Sequence, residues 1–234
     1  MHFHLLHLQN IPIFEQLKLE EALLRNDTRN WVLIGEGSPP AIVMGISGKK
    51  EEMIDEEKVK ALGIPLIKRF SGGGTVLVDE NTLFVTFICQ KELHDFPAYP
   101  EPILKWSEEI FKDVFPQENF ALRENDFVFG EKKFGGNAQY IKKDRWLHHT
   151  SFLWDYSSKN MDLLLIPKKI PKYRNGRRHQ DFLCRLSDHF SHLQEIIMAL
   201  KTALRKRFEI KEATLDDAAS AFANEYRRAT SLLI

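Results

Sequence analysis

Residues 3–8 alternate apolar and polar side chains closely enough to predict a short strand. Asn10 then stands where a helix over about 12–26 needs a cap, with Pro12 in its first turn. Its apolar positions Ile13, Leu17, Ala22, Leu23 and Leu24 keep only a loose helical period. Trp31-Val32-Leu33-Ile34 and Ala41-Ile42-Val43-Met44 read as two strands joined across Gly35-Glu36-Gly37-Ser38-Pro39-Pro40. Residues 55–62 predict a short helix stopped by Gly63, and 65–68 a strand that feeds a glycine run. Beyond it, 75–78 and 82–89 read as a hairpin turning at Asp79-Glu80-Asn81. Ile103, Trp106, Ile110 and Phe111 give 100–115 a helical period. Residues 127–129, 133–140 and 146–154 read as further strands, followed by a short helix near 159–165. Pro167-Lys168-Lys169-Ile170-Pro171-Lys172 is a stiff basic connector. Two helices, 190–207 and 215–230, flank a short strand. Hairpin strands with separate helices predict an α+β fold with mixed, mostly antiparallel sheets.

Composition narrows the class. The 234 residues are 43% hydrophobic and 28% charged, which suits one large soluble domain or a domain with a small appendage. Lys plus Arg number 33, as do Asp plus Glu, so the formal net charge is zero. Nucleic-acid binders and membrane-surface proteins usually carry a basic excess, so neither partner is expected. No apolar run approaches the ~20 residues that span a bilayer. The start, Met1-His2-Phe3-His4-Leu5-Leu6-His7, lacks the basic region and apolar stretch of a secretory signal. Two cysteines, Cys89 and Cys184, make neither a disulfide framework nor a zinc site. A cytoplasmic location is therefore expected, with an organelle after transit-peptide removal left open. His2, His4 and His7 lack metal spacing and read as surface residues.

The chemistry concentrates in two stretches, Lys68-Arg69-Phe70-Ser71-Gly72-Gly73-Gly74-Thr75-Val76 and Gly130-Glu131-Lys132-Lys133-Phe134-Gly135-Gly136-Asn137-Ala138. Glycines let backbone N–H groups approach a ligand closely, and such groups beside a fixed cation make an anion pocket. One Gly-Gly-Gly alone is equally a hairpin turn; the second basic-glycine stretch favours an anionic ligand with more than one charged part. The first stretch fits neither the P-loop nor the dinucleotide fingerprint, because no Gly-Lys-Ser/Thr follows at the required spacing and a strand, not a helix, follows the glycines.

These residues resemble the lipoate-protein ligase A family of the biotin/lipoate ligase superfamily. Lys68 to Asp79 resembles Arg-Arg-x-x-Gly-Gly-Gly-x-Val-x-His-Asp, Asn125-Asp126 an Asn-Asp pair, Lys133 to Ala138 the Lys-hydrophobic-Ser-Gly-x-Ala motif, and Leu147-His148-His149 the His-His motif. The four motifs stand in the family's order over about residues 68–153. The resemblance implies a class II synthetase/biotin ligase-like catalytic domain over 1–188, with a small helical extension over 189–234. It implies activation of lipoate by ATP with Mg²⁺ to lipoyl-AMP, then lipoyl transfer to a lysine of carrier domains: 2-oxoacid dehydrogenase E2 subunits or the glycine cleavage H protein. Lys133 is the implied catalytic cation, stabilising the carboxyl–phosphoryl encounter. Arg69, Ser71, Gly72, Gly73, Gly74, Thr75, Gly136, Asn137, Ala138 and His149 are the implied substrate-binding residues. Lys68, Asn125, Asp126 and Lys133 are implied for the nucleotide, and Asp126 for the metal. Arg174, Arg177, Arg178 and Arg185 form a basic cluster suited to pyrophosphate, to an acidic carrier domain or to a solvated face.

The chain departs from the pattern at Val78, Gly135 and Thr150, where the family has His, Ser and Gly. It ends at Ile234, short of the accessory domain of longer ligases. A separate accessory subunit, a self-sufficient catalytic domain, or an enzyme that only transfers is the expectation. A cysteine-based acyltransferase is disfavoured, since 120–132 hold no cysteine. A transferase fed with preformed lipoyl-AMP and a non-catalytic lipoyl-AMP-binding protein stay open. Biotin ligase lacks its Gly-Arg-Gly-Arg-x-Gly loop here.

Overall fold

The computed structural model describes residues 1–166 and 170–233; the Pro167-Lys168-Lys169 part of the basic connector, and Ile234, lie outside the described residues. Chain order is β1 (His2–Gln9), α1 (Ile13–Asn26), β2 (Trp31–Glu36), β3 (Ala41–Met44), α2 (Lys50–Met53), α3 (Glu56–Ala61), β4 (Leu66–Lys68), β5 (Thr75–Val78), β6 (Thr82–Gln90), α4 (Pro100–Phe111), β7 (Phe120–Arg123), β8 (Asp126–Phe129), β9 (Lys132–Ile141), β10 (Arg145–Leu153), α5 (Ser158–Met161), α6 (His179–Phe182), α7 (Leu193–Arg207), β11 (Glu209–Ala213), α8 (Leu215–Ala219) and β12 (Ser231–Leu232). The strands form an eight-stranded sheet, β11-β1-β2-β6-β10-β9-β8-β7, and a four-stranded sheet, β12-β4-β3-β5. Pairings are antiparallel except β11–β1, β1–β2 and β3–β4. The α+β class with mixed, mostly antiparallel sheets is what the sequence predicts.

Alternation along β6 sets the layers. Leu83, Val85, Phe87 and Cys89 face one side and pack with Ile103, Phe111, Ile197 and Leu200 of α4 and α7. Phe84 and Ile88 face the other side, under Leu17, Ala22, Leu23 and Leu24 of α1 and Val43 and Val78 of the small sheet. The first core is rich in phenylalanine; Phe115, Phe127, Phe134 and Phe152 meet at ring centroids 5.0–5.9 Å apart. The second face carries the site.

Several expectations change. The strands 31–34 and 41–44 do not pair: β2 lies in the large sheet and β3 in the small one. The same holds for β5 and β6, so Asp79-Glu80-Asn81 is a crossing between sheets and not a hairpin turn. A two-residue period identifies a strand but not its partner. Asn10 does not cap α1. It takes a left-handed φ of 52° in the preceding turn, Pro12 occupies the cap position, and the distant Ser38 hydroxyl accepts the Ile13 N–H at 3.0 Å. His4, expected on the surface, is buried with its ring 5.1 Å from Trp31. The helix expected over 215–230 stops at Ala219, continuing as one 3₁₀ turn. Residues 189–233 are therefore not only helical: β11 extends the large sheet beside β1, and β12 extends the small sheet beside β4. Among the described residues no helix is long and apolar enough to cross a membrane.

Candidate active site

Local sequence in β9 aims the central cation. Phe127 pairs with Gly135, but Val128 pairs with Lys133, so Phe134 is an extra residue in a bulge. On a regular strand Lys133 would point away from Gly136 and Ala138. The bulge inverts that parity. Lys133 lines a cavity of about 780 Å³ together with Gly136 and Ala138, while Phe134 is fully buried in the aromatic core. Ser151 and His149 of β10 pair with Gly136 and Ala138, and Phe84 and Thr86 of β6 continue the same face. The Lys133 ammonium is 2.8 Å from Asp126 Oδ1. A Cβ on Gly136 would stand 3.1 Å from that ammonium, so the glycine makes its room.

Facing this wall, the segment 69–74 is held by Arg69. Its guanidinium is almost wholly buried and donates to the carbonyls of Gly72 (Nη2, 2.6 Å), Gly74 (Nη2, 2.9 Å) and Val43 (Nη1, 3.3 Å), and from Nε to the Ser71 hydroxyl at 3.0 Å. Burial pulls its pKa down to about 10. Its donors are thus spent on the loop itself, and Arg69 shapes the glycine wall from behind. Gly73 has φ 98°, and its Cβ would lie 2.8 Å from Arg69 Nη2, so no other residue fits there.

Ser71 continues inward. Its Oγ lies 2.8 Å from His149 Nε2, and His149 Nδ1 lies 3.0 Å from Glu20 Oε2. Glu20 is buried and also accepts from Gln16 (2.9 Å) and Thr86 (2.7 Å). The neighbouring His148 turns to the opposite face, where burial, with the His149 charge, pushes its pKa down to about 3. It is a neutral core residue bonded to Gln139 at 3.1 Å.

At the other end of the cavity the segment 170–183 crosses the site. Tyr173 donates its hydroxyl to Asp126 Oδ2 at 2.8 Å, and the backbone N–H groups of Lys172 and Tyr173 donate to Glu124. Burial and the Asp126 charge raise the phenol's pKa, so it keeps its proton. Cys184 N–H donates to Lys133 O at 2.9 Å, which fastens the end of the segment to β9. Both Asp126 oxygens are therefore engaged, one by an ammonium and one by a phenol. Among the described residues no three His, Cys, Asp or Glu side chains converge as a metal set. Magnesium commonly takes only one or two carboxylates together with phosphate oxygens and waters, and for Asp126 to contribute one it would have to release Lys133 or Tyr173.

All but two of the residues implied for catalysis, substrate or nucleotide line one cavity: Arg69, Gly72, Gly73, Gly74, Thr75, Asn125, Asp126, Lys133, Gly136, Asn137, Ala138 and His149. Ser71 stands behind the wall, fully buried. Lys68 does not line the cavity and sits in β4 between Met44 and Ser231. Sequence reasoning missed Gln16, Glu20, Tyr173 and His179; of the basic cluster it named, Arg174 lines the cavity and Arg177, Arg178 and Arg185 do not. The signal for the first two was present: polar side chains four apart on a helix whose neighbours are apolar. The three departures have local causes. Gly135 cannot carry a side chain, since a Cβ would stand 2.8 Å from the Phe152 ring. Thr150 donates to Asn137 Oδ1 at 2.5 Å, and Asn137 in turn donates to Asn125 O at 3.0 Å. Val78 is buried in the apolar cluster under α1.

Comparison with known proteins gives a family. Residues 12–209 match the lipoyl protein ligase A/B catalytic domain. A Plasmodium falciparum protein named inactive lipoate–protein ligase 2 is 31% identical over 229 residues, covering 73% of this chain and 60% of that protein. The chain spans about 40–60% of the length of curated relatives that it matches. A crystal structure of lipoate-protein ligase A bound with ATP superposes with a TM-score of 0.77 at 19% identity, covering 95% of this chain and 94% of that one. A bi-partite lipoate protein ligase from Thermoplasma acidophilum, described with its E2 lipoyl domain, superposes at 0.78 and 18% identity, over 95% and 91%. At these identities the structural likeness shows a shared fold.

Proposed function

The chain belongs to the lipoyl protein ligase A/B catalytic-domain family, and we propose that it activates lipoate with ATP and transfers the lipoyl group to a lysine of a carrier domain. The observation that carries this reading is the place of Lys133. Its ammonium stands in one cavity with the Gly72-Gly73-Gly74 wall, held at 2.8 Å by Asp126. In the first step a lipoate carboxylate oxygen bonds to the α-phosphorus of ATP and pyrophosphate leaves. Two anions approach each other, and a preorganised cation between them lowers the barrier; removal of one such donor commonly costs ~10²–10³ in rate. In the second step the neutral carrier amine attacks the acyl carbonyl and AMP leaves.

Other residues serve that encounter. Asp126, fixed by Tyr173, keeps the Lys133 side chain from folding away. Arg69 stiffens the glycine wall, so its N–H groups need no reorganisation. Leu17, Val43 and Phe84 give the cavity an apolar side for the acyl chain. The volume of about 780 Å³ suits a ligand of adenylate size. Carrier domains as partners, and an accessory subunit completing the ligase, are supported by the bi-partite Thermoplasma ligase with its E2 lipoyl domain.

A second reading, transfer from preformed lipoyl-AMP without ATP chemistry, is favoured by the doubly engaged Asp126 and by the inactive name of the Plasmodium relative. The two readings separate in one assay. Purified protein, ATP, MgCl₂, lipoate and an apo carrier domain should yield a carrier heavier by one lipoyl group. Modification only when lipoyl-AMP is supplied selects the second reading. No modification under either condition, with a carrier that a known ligase modifies, refutes both.

A further inference from the structure

Four arginines crowd residues 174–185, and three are accounted for. Arg177 donates to the carbonyls of Tyr173 and Arg174 at 2.8 and 3.0 Å, Arg178 is exposed, and Arg185 pairs with Asp155 at 2.6 Å. Arg174 differs. It is 5% exposed and lines the cavity beside Asp126 and Lys133. Its guanidinium lies 4.8 Å over the Phe182 ring, and its Nε donates to Arg177 O at 2.9 Å. Its Nη2 is buried and has no hydrogen-bond partner among the described residues. A buried donor on a cation is costly when unpaired, so its persistence in a cavity wall points to a ligand acceptor.

The surrounding charges say what kind. Lys133 and Asp126 offset each other. Tyr173 keeps its proton, and His179, close enough to feel both Arg174 and Lys133, is held toward its neutral form chiefly by burial. Glu124 sits exposed at the rim, bonded to backbone N–H groups. Asp126 also attracts Arg174, but its one charge is shared with Lys133, so among the described residues at this end of the cavity the buried groups carry one cation more than they carry anions. A triphosphate brings several negative charges and a metal, and Asp126, the buried carboxylate at this end among the described residues, is already engaged by Lys133 and Tyr173. An acyl-adenylate brings one negative charge, on the phosphodiester next to the activated carbonyl. We propose that Arg174 binds that phosphodiester, standing opposite Lys133 as the second cation on an acyl-adenylate.

This rests on the functional reading above and fails separately from it. Equilibrium binding is measured for lipoate, lipoyl-AMP and a neutral lipoyl-adenosine amide that lacks the phosphate, on wild type, Arg174→Gln and Arg174→Lys. Loss of a charge-assisted contact predicts that Arg174→Gln weakens lipoyl-AMP by about 10–100-fold, with lipoate and the neutral amide unchanged. Arg174→Lys keeps the charge and loses the planar fork; its smaller loss must again spare the neutral amide, which carries the test if the Gln variant does not fold. Equal weakening of the neutral amide, or full lipoyl-AMP affinity in Arg174→Gln, overturns the inference alone. Wild type that binds neither lipoate nor lipoyl-AMP overturns the functional reading and this inference together.

Discussion

Gly135 and Gly136 are neighbours on β9, and alanine at each should fail in opposite ways. At Gly136 the added Cβ would lie 3.1 Å from Lys133 Nζ and 3.3 Å from its Cε. Comfortable contact is ~3.5–4.0 Å, so the ammonium must retreat by roughly 0.5 Å. A misplacement of ~1 Å can cost about 10²-fold in rate, so a loss of about tenfold in lipoate-dependent adenylate formation is expected. Stability should not fall. The residue does not have a positive φ, and Gly→Ala at a compatible position typically gains ~0.4–1 kcal/mol. At Gly135 the Cβ would instead meet the Phe152 ring at 2.8 Å and Phe127 Cβ at 3.1 Å. Those groups are locked in the aromatic core, and overpacking of this kind costs ~1–3 kcal/mol. Thermal melts and ATP–pyrophosphate exchange on both variants make the comparison. A Gly136→Ala protein that melts like wild type and exchanges at the full rate would refute the claim that the position of this ammonium sets the rate.

Three further outcomes follow from the same contacts. Arg69→Lys leaves carbonyls of Gly72, Gly74 and Val43 short of donors, so urea titration should show a loss of about 1–3 kcal/mol, with a raised KM for lipoate; unchanged stability contradicts its bracing role. Thr150→Val removes the hydroxyl that holds Asn137 and should cost ~0.5–1.5 kcal/mol by thermal melt, whereas a neutral result leaves Thr150 without a purpose in the site. His148 has its folded pKa depressed to about 3 by burial. Both states are neutral above the ordinary histidine pKa of ~6.5. Below it the unfolded chain binds a proton that the folded chain refuses. Stability should therefore fall by about 1.4 kcal/mol per pH unit from this group as pH drops from ~6.5 toward 3. His148→Gln should flatten that limb in urea titrations at pH 7.5 and 5; an identical slope in the variant refutes the assignment. His94, lowered to about 4 by burial, adds a second contribution that the variant keeps.

The sequence was most legible where chemistry and local geometry share a few residues. The triple glycine, the Lys133 stretch and the second of the paired histidines meet in one cavity, and most strands lie within a residue or two of the apolar runs that predict them. Partners were not legible, because alternation fixes a strand's faces and not its neighbour: β2 and β3, and β5 and β6, are adjacent in sequence yet belong to different sheets. The bulge at Phe134 hides from periodicity as well. A strict period of two places Lys133 opposite Gly136, and one extra residue puts them together. Glu20 was missed because a buried carboxylate on a helix looks like a break in an apolar face until His149, far along the chain, supplies its partner. The bracing role of Arg69 was hidden for a related reason: the carbonyls that occupy it come from the loop folding back on itself.

Lipoate-dependent ATP–pyrophosphate exchange by wild type and Lys133→Ala isolates the ammonium at the carboxyl–phosphoryl encounter. Exchange is expected in the wild type, with a fall of ~10²–10³-fold in the variant and matching melts for the two proteins. Near-full exchange by a folded Lys133→Ala protein would contradict that role for the ammonium.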